Sequence, residues 1–313
     1  MNVDHSRPPR GVYAAIATPI TRDLEPDLGA FVAHGRWLLD NGCDGLAPLG
    51  TTGEANSLSV GQRGALIEAA AEAGLPMGRC IIGAGSCALA DAVTLTKSAV
   101  RAGCHAVLLL PPFYYKGPTE DGLFAFFAEV IERVADPALR IYLYHIPQLS
   151  TVPIAIPLIA RLMKAYGERI AGLKDSSGEW SNTAALLREF PGFGVYSGTE
   201  QFLLDNLRAG GAGCISATTN VTAPLAQRVF AAVERPEAES LQRQATEARL
   251  VFQRYPMQAA VKHAIAEITG DRTWLDLLPP NRPLSAPQAA ELVAQLRMLP
   301  QLRPVLRPVA GAA

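Results

Sequence analysis

The chain has 313 residues, is 49% hydrophobic, and carries 28 Lys plus Arg against 29 Asp plus Glu for a net charge of −1. This length supports one large core, or one barrel with an appendage. No basic excess points to nucleic acid and no long acidic run points to a disordered tail, which leaves a small molecule as the default partner.

Eight short apolar segments follow one another: VYAAIATP (12–19), GLAPLG (45–50), RCIIGAG (79–85), HAVLLLPP (105–112), LRIYLYHIP (139–147), IAGLKDS (170–176), FGVYSGT (193–199) and GAGCISAT (211–218). Each ends in Gly, Pro, Thr or Ser and is followed by an amphipathic stretch. Spacings of about 20 to 35 residues require a helical crossover rather than a hairpin. Several segments are apolar on both alternating faces, as strands of a covered parallel sheet are. Among the intervening stretches, Ser59 is a plausible N-cap for a helix over 60–74 that stops at Gly74. A helix over 89–103 ends in Gly103, and one over 200–210 ends in Gly210. The stretch 121–135 carries apolar residues at 123, 126, 127, 130, 131 and 134, a buried helical stripe.

Eight β-α pairs in strict order predict an α/β fold, a closed (β/α)8 TIM barrel over residues 11–235. An open doubly wound sheet is the competing fold, but no G-x-G-x-x-G follows the first strand. After residue 235 the strand pattern stops. Helices are expected over 237–256, 257–270 and 285–299, with a Pro-rich break at LLPPNRP (277–283), forming a small C-terminal helical extension over 236–300. Residues 1–10 and 301–313 are expected to be flexible termini.

The five cysteines are scattered and form no CxxC pair, which fits free thiols in a reducing compartment. No His, Cys or Asp cluster has metal-ligand spacing, so no metal site is expected. The start MNVDHSRPPRG lacks an apolar signal core, and no apolar run nears the roughly 18 residues of a membrane span. The chain reads as soluble and cytoplasmic.

Active sites of such barrels lie at the C-terminal ends of the strands. Lys174 closes the sixth segment, and alternation places Ile170, Gly172 and Lys174 on one face. If that face is the interior, apolar surroundings favour the neutral amine, able to attack a ketone; otherwise Lys174 ends a strand and reaches water. Tyr144 closes the fifth segment and reads either as a proton carrier or as a core aromatic, with His145 on the opposite face. GTTGE (50–54) could turn so that several N–H groups converge on a carboxylate, with hydroxyls from Thr51 and Thr52. PPFYYKG (111–117) could roof a pocket or anchor a subunit contact. In SGTEQF (197–202), Glu200 could accept hydrogen bonds from substrate hydroxyls or sit at a helix N-terminus.

Taken together, GTTGE, the Tyr-Tyr loop, Y-x-x-P and, about 30 residues later, G-x-K-[DE]-x-[ST]-G resemble the dihydrodipicolinate synthase / N-acetylneuraminate lyase family of class I aldolases. The resemblance covers about residues 11 to 300. It implies that Lys174 forms a Schiff base with pyruvate, that Tyr144 is the general acid/base, and that Thr51 and Thr52 bind the pyruvate carboxylate beside Gly50. It implies a proton relay from Tyr144 through Thr51 to Tyr115 of a neighbouring subunit. Gly198 and Ile215 would line the pyruvate site. It also implies a homotetramer built as a dimer of dimers, and no cofactor beyond the covalent imine.

One departure bears on the substrate. Synthases of the family read Tyr-Asn-[Val/Ile]-Pro-x-Arg where this chain reads Tyr144-His145-Ile146-Pro147-Gln148-Leu149, and Leu149 cannot make the charge-assisted contact of that Arg. The expectation is an aldolase that splits a 4-hydroxy-2-keto acid into pyruvate and an aldehyde, with Ser176 and Glu200 placed to read hydroxyls of a 2-keto-3-deoxy sugar acid. The alternatives are condensation of pyruvate with aspartate semialdehyde, a keto-acid dehydratase, and a non-catalytic keto-acid-binding barrel.

Overall fold

All eight apolar segments form parallel strands in the computed structural model, which describes residues 9–303, 305 and 306. They are β1 Gly11–Ala14, β2 Gly45–Leu46, β3 Ile81–Gly83, β4 Ala106–Leu109, β5 Ile141–His145, β6 Ile170–Asp175, β7 Gly194–Ser197 and β8 Gly213–Ser216. Hydrogen bonding runs in the order β2-β1-β8-β7-β6-β5-β4-β3, and a parallel bridge between Leu46 and Cys80 joins the two ends. The result is a (β/α)8 barrel.

Helices α1 Leu28–Asp40, α2 Val60–Glu72, α3 Leu89–Arg101, α4 Glu120–Val134, α5 Pro147–Ser150, α6 Ile156–Tyr166, α7 Trp180–Glu189, α8 Leu203–Arg208 and α9 Thr219–Ala231 alternate with the strands. Three more helices follow: α10 Ala238–Phe252, α11 Met257–Thr269 and α12 Ala286–Met298. Local chemistry explains the boundaries. Ser59 and Gln62 form a reciprocal capping box at the start of α2, and Leu123, Phe127, Val130, Ile131 and Val134 form the buried stripe of α4. The stretch 200–210 is not one helix: Glu200–Phe202 is a 3-10 turn that leads into α8.

Three apolar layers hold the elements together. One lies between the outer strand faces and α1 to α4, α6 and α7. A second fills the barrel and includes Tyr13, Tyr142 and Tyr196, whose ring centroids lie 5.4 Å (Tyr13 to Tyr196) and 5.6 Å (Tyr142 to Tyr196) apart. The third runs from Val12 and Cys214 through α8 and α9 into α10, α11 and α12, so the extension shares a core with the barrel. Its last member, Leu302, is fully buried within a 3-10 turn over Pro300–Leu302, so packing reaches past residue 300. The expectations for 1–8, 304 and 307–313 lie outside the described residues.

In β6 the simple alternation fails. The register pairs Ile141 with Ile170 but Tyr142 with Gly172, leaving Ala171 as an extra residue. Ile170 therefore packs in the outer layer, while Gly172 and Lys174 share the inner face. A Cβ on Gly172 would lie 2.3 Å from Cε1 of Tyr142, so the space beneath Lys174 is filled by the Tyr142 ring.

Candidate active site

Beyond the bulge, the β5–β6 register sets Tyr144 beside Lys174, and His145 beside Asp175. Adjacent partners of a parallel sheet point to the same face, so the Tyr144 hydroxyl and the Lys174 amine meet at the top of the barrel. Lys174 is 4% exposed, and its Nζ lies 3.4 Å from the Tyr144 hydroxyl and 4.5 Å from the ring centroid. The hydroxyl is also 3.1 Å from Thr51 Oγ1. A continuous chain thus runs from the amine through the phenol to the Thr51 hydroxyl.

The neighbours of the pair are fixed from the outer face. Asp175 accepts from Ser177 N at 3.0 Å, Asn182 Nδ2 at 2.9 Å and Thr183 Oγ1 at 2.7 Å, which ties the end of β6 to the start of α7. His145 Nδ1 accepts from the Ile154 N–H at 3.1 Å, and burial lowers its pKa, with Asp175 opposing. Both side chains therefore hold the strand ends from behind.

GTTGE turns in an unexpected way. Its left-handed residues are not the glycines but the flanking Leu49 (φ 60°) and Glu54 (φ 53°). Gly53 is needed for close approach, because a Cβ there would lie 2.9 Å from the Ile16 carbonyl oxygen. The Glu54 and Ala55 amides bond back to Thr51 and Gly50. Those of Thr51 and Thr52 find no acceptor among the described residues, which leaves two N–H donors for a ligand carboxylate.

These groups border a cavity of about 360 Å³ lined by Thr51, Thr52, Tyr144, Lys174, Ser176 and Gly198, all expected from sequence. Gly50 lines a small void next to it, with Thr51 and Tyr144. Ile215 is fully buried in the layer inside the barrel and is not among the residues lining the cavity. Glu200 is not a wall residue either. It turns to the inside, where Ser216 Oγ, Thr218 Oγ1 and Thr222 Oγ1 donate to its carboxylate. Tyr115 does not reach Tyr144 within one chain; it is 81% exposed on the β4–α4 loop, edge-on to Tyr114 at 5.2 Å.

The model of the dihydrodipicolinate synthetase family matches residues 8–299. The chain belongs to this family. Its members are class I aldolases, carbon–carbon lyases. The chain is 34% identical to an uncharacterized DapA-like lyase of Chloroflexus aurantiacus, over 91% of this chain and 95% of that protein. It is 37% identical to a 4-hydroxy-tetrahydrodipicolinate synthase of Rhizobium meliloti, over 68% of this chain and 71% of the synthase. Among solved structures, dihydrodipicolinate synthase from Agrobacterium tumefaciens superposes with a TM-score of 0.85 at 31% identity, covering 92% of this chain and 99% of that one. YagE, a prophage protein of the same family from E. coli K12 in complex with pyruvate, gives 0.86 at 25% identity over 93% and 98%.

Sequence reading missed the part of the wall that the extension supplies: Arg249 and Gln253 at the end of α10, and Met257 and Gln258 at the start of α11. One signal was available. Arg249 stands four residues after Ala245 and three before Phe252, both buried, so a basic residue interrupts the apolar stripe of α10. Among the described residues no helix is long and apolar enough to cross a membrane, and no three His, Cys, Asp or Glu side chains are grouped to hold a metal ion.

Proposed function

We propose that Lys174 condenses with the keto carbon of pyruvate, and that the enzyme reversibly splits a 4-hydroxy-2-keto acid, a 2-keto-3-deoxy sugar acid, into pyruvate and an aldehyde. The observation that carries this reading is the chain of Lys174 Nζ, Tyr144 hydroxyl and Thr51 Oγ1, with steps of 3.4 and 3.1 Å at one cavity wall. The amine attacks the carbonyl, and loss of water leaves a protonated imine. That imine accepts the electron pair when the bond between C3 and C4 breaks, giving an enamine and releasing the aldehyde; protonation of the enamine at C3 and hydrolysis of the imine by water then free pyruvate and the Lys174 amine. The Tyr144 phenol is within reach of the nitrogen, and it carries the proton between the carbinolamine oxygen, the C4 hydroxyl and Thr51. The free amides and hydroxyls of Thr51 and Thr52 hold the pyruvate carboxylate beside Gly50, and Ser176 and Gly198 border the carbons beyond it. The covalent imine supplies the electron sink, so the reaction as written uses no cofactor.

Tyr115 acts, in this reading, from a neighbouring subunit. Its exposure on a loop beside Tyr114 supports a contact between chains, and a tetramer built as a dimer of dimers would deliver it to Tyr144. The five free cysteines fit a cytoplasmic setting.

The test is borohydride reduction in the presence of pyruvate, read by intact mass and peptide mapping. One pyruvate-derived group on Lys174 is expected, absent from Lys174→Ala; no adduct, or one that survives the substitution, overturns the imine. A second reading, condensation with aspartate semialdehyde, is favoured by the names of the relatives. Against it stands Leu149, 61% exposed at the cavity wall, which cannot make the charge-assisted contact of the Arg that the family's synthases carry at that position. Condensation of aspartate semialdehyde at an ordinary catalytic rate, without cleavage of keto-deoxy sugar acids, would replace the first reading by the second.

A further inference from the structure

We propose that Arg249 is a second anion-binding group of the cavity, and that the molecule held on Lys174 is a 2-keto acid bearing another carboxylate at its far end. The inference rests on the keto-acid reading of the cavity and specifies the class of acceptor.

Arg249 reaches the cavity wall from α10. Its Nη1 donates to Ser216 Oγ and Thr218 Oγ1, each at 3.3 Å. Those hydroxyls in turn donate to Glu200, whose carboxylate also accepts from Thr222 Oγ1 at 2.6 Å. Glu200 is thus satisfied by hydroxyls alone. The guanidinium stands 3.9 Å from it, beyond hydrogen-bonding distance, although a planar fork and a carboxylate readily pair in bidentate contact. Were charge neutralisation of Glu200 the whole role of Arg249, that contact would be the one to expect. Instead Nε is buried with no partner, and no partner among the described residues engages Nη2. A guanidinium left short of acceptors is costly in a folded protein. A ligand carboxylate at the wall would supply an acceptor for Nη2, while Glu200 and its hydroxyls hold the fork in place.

The rest of the wall narrows the chemistry. None of the residues that line the cavity is acidic, so the space has two basic side chains, Lys174 and Arg249, and no counter-charge for an ammonium group. Gln148, Gln253 and Gln258 each have their amide nitrogen anchored, to Ser176 O, Gln201 Oε1 and Thr51 O, which leaves carbonyl oxygens to accept from hydroxyls. The acceptor is therefore hydroxylated and anionic rather than an amino-acid aldehyde.

The experiment uses the full chain carrying Lys174→Ala, in which no imine forms, so that binding alone is read. Titration calorimetry compares 2-oxoglutarate with 2-oxopentanoate and 2-oxoadipate with 2-oxohexanoate, pairs that differ in the terminal carboxylate. At least one diacid is expected to bind about tenfold or more tightly than its partner, the value of one charge-assisted contact. Adding Arg249→Gln should bring that ratio close to one. Arg249→Lys keeps a charge beside Glu200 but loses the fork, and should lower the ratio severalfold even if the Gln variant does not fold. Equal binding within both pairs, or a ratio that neither substitution moves, overturns the proposal. Borohydride trapping with pyruvate in the otherwise unaltered protein reports on Lys174 separately. Trapping without diacid preference removes Arg249 alone, and diacid preference without trapping removes the imine alone.

Discussion

Glu54 and Lys262, 208 residues apart in sequence, form an ion pair at 2.5 Å with neither side chain exposed. Glu54 closes the GTTGE loop in a left-handed conformation, and its other oxygen accepts from Leu278 N at 2.9 Å and Asn281 Nδ2 at 3.2 Å. Lys262 also donates to the Asp276 carbonyl at 2.7 Å. Burial lowers the Lys262 pKa while Glu54 opposes the shift. The loop that carries Thr51 and Thr52 is thereby fastened to α11.

Removing one member of this pair leaves a buried charge alone. Lys262→Met is expected to cost about 3–5 kcal/mol, and Glu54→Gln/Lys262→Met together less than the sum of the two single changes. Urea unfolding of the three variants measures this directly. Additive single effects would show that the two groups act independently.

Tyr144→Phe removes the hydroxyl between Lys174 and Thr51. Aldol cleavage should slow by about 100-fold or more, with the pyruvate adduct on Lys174 still formed under borohydride. Single-turnover cleavage measures the step. A rate within about threefold of the unaltered enzyme would exclude the phenol as proton carrier.

Two glycines should respond in opposite ways. A Cβ at Gly198 would lie 2.2 Å from Ser176 Oγ and 2.8 Å from Ser176 Cα, so Gly198→Ala must move the tops of β6 and β7. A displacement of that kind is expected to reduce kcat/KM by tenfold or more, up to about 100-fold. A Cβ at Gly64, within α2, meets nothing within 4 Å. Gly64→Ala should raise stability by about 0.5–1 kcal/mol, read from the unfolding midpoint.

His34 sets an acid limit. Its Nε2 donates to Asn220 Oδ1 at 3.0 Å, and burial pushes its pKa down to about 4. The unfolded imidazole takes up a proton near pH 6.5, whereas the folded one excludes it until near pH 4. Above pH 6.5 both forms are neutral and the group adds no slope. As pH falls from 6.5 to 4, the unfolded chain binds more protons, and stability drops by up to about 3 kcal/mol. His34→Gln should flatten that part of the stability curve; an unchanged slope would assign the acid loss to other groups.

The barrel was readable because a covered parallel strand must be apolar on both faces and must end in turn residues, and eight such runs stand in order. Lys174 and Tyr144 were readable because each closes a strand. The outward turn of Ile170 was not, since periodicity counts residues and cannot show the unpaired Ala171. Nor was the pairing of Glu54 with Lys262, or of Glu200 with Ser216, Thr218 and Thr222, because these contacts depend on how the closed ring meets the extension. Glu200 looked like a ligand-facing acid at a strand end, and only the fold decides which way it turns.

Arg249, Gln253, Met257 and Gln258 lie within ten consecutive residues at the junction of α10 and α11, whereas Lys174, Tyr144 and Thr51 sit on separate strand ends of the barrel. On the proposed roles, part of the selectivity is therefore written in a different stretch of the gene from the reactivity. A mutagenic library confined to the four junction positions would sample new acceptor aldehydes while every proposed imine-forming and proton-carrying group stays as it is. Natural drift at that junction would have the same freedom, so two relatives with identical strand ends need not share a substrate.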